Sequence, residues 1–151
     1  MSYGLIDVDF KELLSPYRSD LARAIGVDPN DIELVENPLT VNSGSHMDCY
    51  LYQGDRPIAS FSIIMMPGCC GLAISTGAQV WISYRRRGIG TMMNNIRIDL
   101  AQKLKFGALI CTDVLSNSVQ QRILRKNGWA KIFEFRSPRT GNDIGIDIIH
   151  L

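Results

Sequence analysis

Three strand-like apolar runs, residues 48–53, 57–66 and 72–82, follow one another with gaps of only a few residues. A parallel crossover needs a dozen or more residues, so connections this short make neighbouring strands antiparallel. Gly54-Asp55 in the first gap is a hairpin signal, and a Pro67-to-Gly71 turn fills the second. From Gly88 the period changes. Ile89, Met93, Ile96, Leu100 and Leu104 recur at spacings of four, three, four and four, the stripe of an amphipathic helix with Arg97 and Lys103 off it. A chain that passes from a strand pattern to a helix pattern at one turn is committed to a sheet covered by a helix.

The flanks extend this pattern. Residues 10–25 read as a helix capped by Asp9, with Pro16 expected to break or kink it. A turn over 27–31, a short strand over 32–35 and an exposed loop over 37–47 follow. Gly107 ends the long helix, and 108–113 is a short apolar strand. Ser116 or Asn117 caps a further helix carrying Val119, Ile123 and Leu124, which Asn127-Gly128 stops. Residues 131–135 and 144–149 pair as a hairpin around 137–142. The order predicts an α/β fold with a mixed, mostly antiparallel central sheet flanked by helices, in one domain over 1–151.

Composition agrees. The chain has 151 residues, 46% apolar and 21% charged, enough for one core and far from a disordered composition. No stretch approaches the ~18 apolar residues of a membrane span, and the N-terminus lacks a basic, apolar leader, so a cytoplasmic protein is expected. The four cysteines, Cys49, Cys69, Cys70 and Cys111, include no C-x-x-C pair and no nearby His at ligand spacing. They read as reduced thiols, Cys49 and Cys111 packed inside strands, and no metal is expected. Charge is divided unevenly: residues 1–66 carry ten acids against four bases, and 67–151 twelve bases against five acids. A basic C-terminal half suits an anionic ligand.

The segment that most directly implies chemistry runs from Val80 to Thr91. A strand leads into Arg85, Arg86 and Arg87, and Gly88 and Gly90 open the long helix. Backbone N–H groups at a helix start have no internal partner, and the helix dipole adds positive potential there. Glycines let phosphate oxygens approach the main chain, while the arginines add charge for a pyrophosphate and a 3′-phosphate. A dinucleotide fingerprint is excluded: a third glycine is missing, and the preceding strands form a meander instead of a βαβ unit.

With the strand, helix and Gly-aromatic pair that follow, this chain resembles the GNAT superfamily of acyl-CoA-dependent N-acyltransferases. The superfamily's (R/Q)-x-x-G-x-(G/A) motif matches Arg85, Gly88 and Gly90, and its later Asn…Gly-aromatic pattern matches Asn117, Gly128 and Trp129. The resemblance covers 48–151; 1–47 are an N-terminal helical segment and loop. It implies acetyl-CoA or CoA in a cleft splayed between the strands at 72–82 and 108–113. Pantetheine would bond to backbone near Val80 and Ile82, and the diphosphate would sit on amides from Arg86 through Gly88, Ile89 and Gly90 to Thr91. Asn117 would contact the pantetheine arm.

Direct transfer to a primary amine of pKa about 10.4 needs a base, while a thiol leaving group of pKa about 8.5 needs only modest protonation help. The superfamily commonly supplies an acid from a Tyr seven residues after the Asn, and here that position is Leu124. Tyr84, Ser116 or water are the remaining acids. Asp113, at the end of the central strand, is the first candidate base, with Asp48, Glu134 and His46 behind it. Trp81, Tyr50, Tyr52 and Met65 are core or acceptor-pocket residues. The expected activity is acetyl transfer to a small-molecule or lysine amine, in a protein that can pair as a homodimer; nucleic acid and membranes are not expected partners. The competing reading is a catalytically weak or inactive GNAT-fold binding or structural module, for example a protein of phage type.

Overall fold

The protein is described by a computed structural model for residues 7–37, 46–69 and 71–151. Most of the loop expected over 37–47, and Cys70 in the expected 67–71 turn, fall outside these residues. The elements are α1 (Phe10–Ile25), β1 (Ile32–Glu36), β2 (His46–Gln53), β3 (Arg56–Met65), β4 (Leu72–Val80), α2 (Ile89–Lys103), β5 (Ala108–Val114), α3 (Ser118–Lys126), β6 (Ala130–Arg136) and β7 (Asp143–His150). Among the described residues, seven strands form one sheet in the order β1-β2-β3-β4-β5-β7-β6. Every pair is antiparallel except β4–β5. The predicted α/β class and mixed sheet are what the chain adopts.

Helices α1 and α2 pack on each other and cover β1, β3 and β4. The buried side of the sheet carries Met47, Cys49 and Leu51 from β2 and Ile58, Phe61 and Ile63 from β3. Each large apolar side chain withdrawn from water there contributes roughly 1.5–3 kcal/mol. All five residues of the predicted α2 stripe are buried, whereas Lys103 lies outside and pairs with Glu12 of α1 at 3.7 Å. Among the described residues no helix is long and apolar enough to cross a membrane. Cys49 and Cys111 are buried free thiols, as expected.

Four local expectations change. Pro16 neither breaks nor ends α1: Asp9 caps the start through Lys11 N (3.0 Å) and Glu12 N (3.2 Å), and Gly26 at φ +83° closes the end. Pro16 is exposed, so the carbonyl deprived of its partner one turn back can face water. Met47, assigned to a loop, is buried in β2, because β3 is long enough to pair with residues from His46 onward. Ile82 is not in a strand. Trp81 N still donates to Ile58 O (2.9 Å), but Ile82–Tyr84 curl into a 3₁₀ turn that Tyr84 N closes on Trp81 O (2.9 Å). Val119, expected to pack, is 63% exposed.

The fourth strand is bent where it matters. Ser60 pairs with Gln79 but Ser62 with Thr76, so β4 holds one residue more than its partner, with Gly77 at φ +61° inside the bulge. On its other side β4 pairs with β5 only from Leu72↔Ala108 to Ser75↔Cys111. Beyond that rung the two strands diverge, opening the splay expected between them.

Candidate functional site

At the start of α2, Gly88 takes a left-handed N-cap conformation (φ +78°) and supplies no side-chain cap. The first helical bond is Met92 N to Gly88 O at 3.3 Å. The six N–H groups from Arg86 to Thr91 have no hydrogen-bond partner among the described residues. A row of such donors at a helix start has the geometry and the positive potential that suit an anion. The amides open onto a cleft of about 700 Å³ lined at this end by Val80, Arg85, Arg86, Gly88, Gly90 and Thr91. Asn117 and α3 form its other wall, and none of its lining residues is acidic.

The three arginines divide their work. Arg85 Nε donates to Val80 O (2.8 Å), and Arg87 donates to Ser83 O (3.1 Å) and Ile25 O (3.4 Å), so both brace the turn. Arg86 makes no side-chain hydrogen bond among the described residues, and its φ is +62°, a conformation that costs a non-glycine residue roughly 1–2 kcal/mol. Sequence reasoning missed two further cations, Arg122 and Lys126, which line the cleft from α3. Their spacing of four on the helix after Asn117 was the available signal. Since Trp81 N points back to β3, strand alternation turns the N–H and C=O of Val80 toward the cleft, although Arg85 already occupies that carbonyl. Asn117 caps α3 by accepting from Gln120 N (3.1 Å).

A second cavity of about 220 Å³ lies in the splay itself. Thr76, Gly77 and Ala78 of β4 line one side and Cys111, Thr112 and Asp113 of β5 the other. Ala78, Arg97, Asn117 and Gln120 line both cavities. Asp113 is 6% exposed and Asp147 fully buried. Because Asp113 is opposite Gly145 and Cys111 opposite Asp147, the two carboxyls are diagonal neighbours on one face. Arg125 Nη2 donates to Asp147 Oδ1 while its Nη1 holds Trp129 O (2.7 Å). Neither oxygen of Asp113 meets a donor among the described residues, nor does Asp147 Oδ2. Burial, then the adjoining Asp147 carboxyl, pushes the Asp113 pKa up to about 7 against the weaker pull of Lys131 and Arg125. In a buried site with no donor to it, an adjoining carboxyl disfavours the charged form of Asp113. A Cβ on Gly145 would lie 3.1 Å from Asp113 Oδ1 and 3.0 Å from Leu115, so glycine there keeps room for the pair.

Several solved structures share this architecture. An IAA acetyltransferase from Bacillus cereus superposes with a TM-score of 0.65 at 11% identity, over 80% of this chain and 99% of that one. A GNAT family acetyltransferase from Elizabethkingia anophelis with acetyl-CoA bound gives 0.65 at 11% identity, over 81% and 99%. The Salmonella typhimurium acetyl transferase that modifies the N-terminal serine of 50S ribosomal subunit protein L7/L12 gives 0.62 at 12% identity, over 76% and 69%. The chain has the GNAT fold. No protein-family model and no curated protein matches the sequence, so the likeness rests on the fold.

Within the GNAT fold the remaining candidates separate. Tyr84 lines the Arg86–Thr91 end of the cleft, donates to Gln53 Oε1 (3.4 Å) and lies under Arg87; it does not line the cavity that holds Asp113. Leu124 is fully buried in the core. Asp48 accepts from Ser62 Oγ and lies 2.7 Å from His46 Nε2 on β2, and exposed Glu134 pairs with Lys131 at 3.2 Å. Ser116 is exposed in the turn after β5. None of these four lines either cavity. Tyr50 stacks on Tyr52 (6.0 Å between ring centres) and tilts against Trp81 (6.5 Å), also outside both cavities, as is Met65. Among the described residues no His, Cys, Asp or Glu group is arranged to hold a metal ion.

Proposed function

We propose that the chain is an N-acetyltransferase that uses acetyl-CoA and a primary amine. The observation that carries this reading is the row of six unpartnered amides from Arg86 to Thr91, opening onto a non-acidic cleft that continues into the β4–β5 splay. The residues fit the cofactor. The amides and Arg86 receive its diphosphate, Arg122 and Lys126 add positive potential, and the inward N–H of Val80 and the Asn117 amide suit the pantetheine arm. Ile82, exposed beyond the strand end, contributes through the turn it shapes.

When bound, acetyl-CoA supplies an acetyl thioester, whose acyl carbon goes to the amine nitrogen while the sulfur leaves with its electron pair. The chain's own residues do the rest. Asp113, with a pKa held near 7 by burial and the adjoining Asp147, accepts the proton the amine sheds. Tyr84 steadies the phosphate end. The acidic N-terminal half suits a cationic amine such as a polyamine, an aminoglycoside or a lysine side chain.

Free-thiol release from acetyl-CoA against a panel of such amines is the deciding assay. Leu124 favours a second reading, a CoA-binding module without turnover; acetyl-CoA binding with no thiol release from any amine supports that reading against the enzyme. Arg86→Gly separates binding from stability. Glycine relieves the positive φ, so the free protein gains up to about 1 kcal/mol in thermal melts. Loss of one charge-assisted phosphate contact weakens acetyl-CoA about tenfold by calorimetry.

A further inference from the structure

Arg97, in the middle of α2, was expected off the helix stripe and is 3% exposed. The covered face of α2 is widened by its contact with α3 as well as the sheet. Its Nε and Nη2 donate to Asn94 Oδ1 (3.2 and 2.8 Å), its Nη1 donates to Ser75 Oγ (3.1 Å), and its Cζ lies 4.8 Å from the centre of the Trp129 ring. None of these partners is an anion. Buried arginines are ordinarily matched by a carboxylate, because a lone desolvated charge is costly. Among the described residues no carboxylate comes within ion-pair distance of Arg97. The thiol beside it, Cys111, is pushed by burial up to about 12 and stays neutral. Burial lowers the pKa of Arg97 as well, yet a guanidinium remains charged at neutral pH.

Its position gives that charge a use. Ser75 and Cys111 form the last rung before β4 and β5 diverge, so Arg97 sits beneath the vertex of the splay and lines both cavities. From Val80 back to Ser75 the strand covers roughly 16 Å. The arm between the diphosphate and the thiol of CoA runs about a dozen bonds, or roughly 14 Å when extended. The cleft that opens at the amides of Arg86–Thr91 also reaches Arg97, so an arm extended along β4 from a diphosphate on those amides runs toward the vertex.

We infer that Arg97 is the catalytic residue that stabilises the leaving thiolate of coenzyme A. This rests on the acetyl-CoA reading above. As the C–N bond forms and the C–S bond breaks, the bonding pair stays on sulfur beside the guanidinium, and the amine's proton passes to Asp113. Charge stabilisation by Arg97 takes the place of a proton from position 124, where leucine has none to give.

The test compares CoA with desulfo-CoA, which lacks the thiol, by calorimetry at pH 7 and pH 9.5. In the wild-type protein the preference for CoA rises at least tenfold between these pH values, as the thiol ionises; groups of the protein that titrate over the same range cancel in the ratio. Arg97→Met loses the rise, and Arg97→Lys keeps part of it, with circular dichroism reporting that each is folded. A wild-type ratio that does not change with pH overturns the inference, even if Arg97→Met fails to fold, and so does an equal rise in folded Arg97→Met. Failure of desulfo-CoA and CoA alike to bind at pH 7 overturns the acetyl-CoA reading itself, which keeps the two failures apart.

Discussion

Gly90→Asp is expected to remove the thermal stabilisation that acetyl-CoA gives the wild-type protein. A ligand at one hundred times its Kd adds about 2.7 kcal/mol, which in a domain of this size is a rise of roughly 5–10 °C in Tm. Gly90 is the second residue of α2, and a Cβ there would sit 3.3 Å from Ile123 Cδ1 and 3.9 Å from Val80 Cγ2. Any side chain is thus directed between α3 and the end of β4, into the mouth of the cleft. An aspartate places its own carboxylate against the free amides, where it meets the helix dipole favourably and offsets the close contact with Ile123. Unliganded Tm should therefore move little while the response to acetyl-CoA disappears. Gly90→Ala, with bulk but no charge, should retain part of it. A full acetyl-CoA shift in Gly90→Asp would mean that the phosphates bind elsewhere.

Asp113→Asn should make the protein more stable at pH 8 and far less active. The folded pKa of Asp113, about 7, lies above its ordinary value of 3.8. Between those values the folded protein holds a proton that the unfolded chain has released, so the stabilisation is complete below about pH 4 and drains away as pH rises to 7. The loss amounts to about 4 kcal/mol. Asparagine is neutral throughout and can donate to Asp147, so the variant should melt higher above pH 7 and follow pH less steeply. Without a proton acceptor, thiol release with an amine should fall by about 10²–10⁴. A lower Tm for the variant at pH 8 would show that the site does not disfavour the charged form of Asp113. The trade is that of many sites, where function holds a group in a state the fold disfavours.

Some of this was legible in the residues alone. The α2 stripe, the meander imposed by short gaps and the caps Asp9 and Asn117 were each readable, because a few neighbouring residues settle them. Expectations failed where the outcome depended on a partner distant in the chain. Met47 is drawn into β2 by its partner Ile63 of β3, and Val119 stays exposed because α3 turns that side to the cleft. The glycine turn was readable as a helix start with unpartnered amides, but the division of labour among its arginines was not. Arg85 and Arg87 are drawn off by the carbonyls of Val80, Ser83 and Ile25, which no local spacing reveals.

By itself the sequence determined the layered α/β class and the placement of a glycine turn with free amides at the head of the long helix, since periodicity and unpaired helix amides are properties of contiguous residues. Only the tertiary structure decided which side chains are charged in the dark. Asp113 meets Asp147 across two antiparallel strands, and Arg97 comes to lie under the parting of two parallel ones. Burial and the company of other charges are set by residues far apart along the chain, and they are what tune an acid or a base.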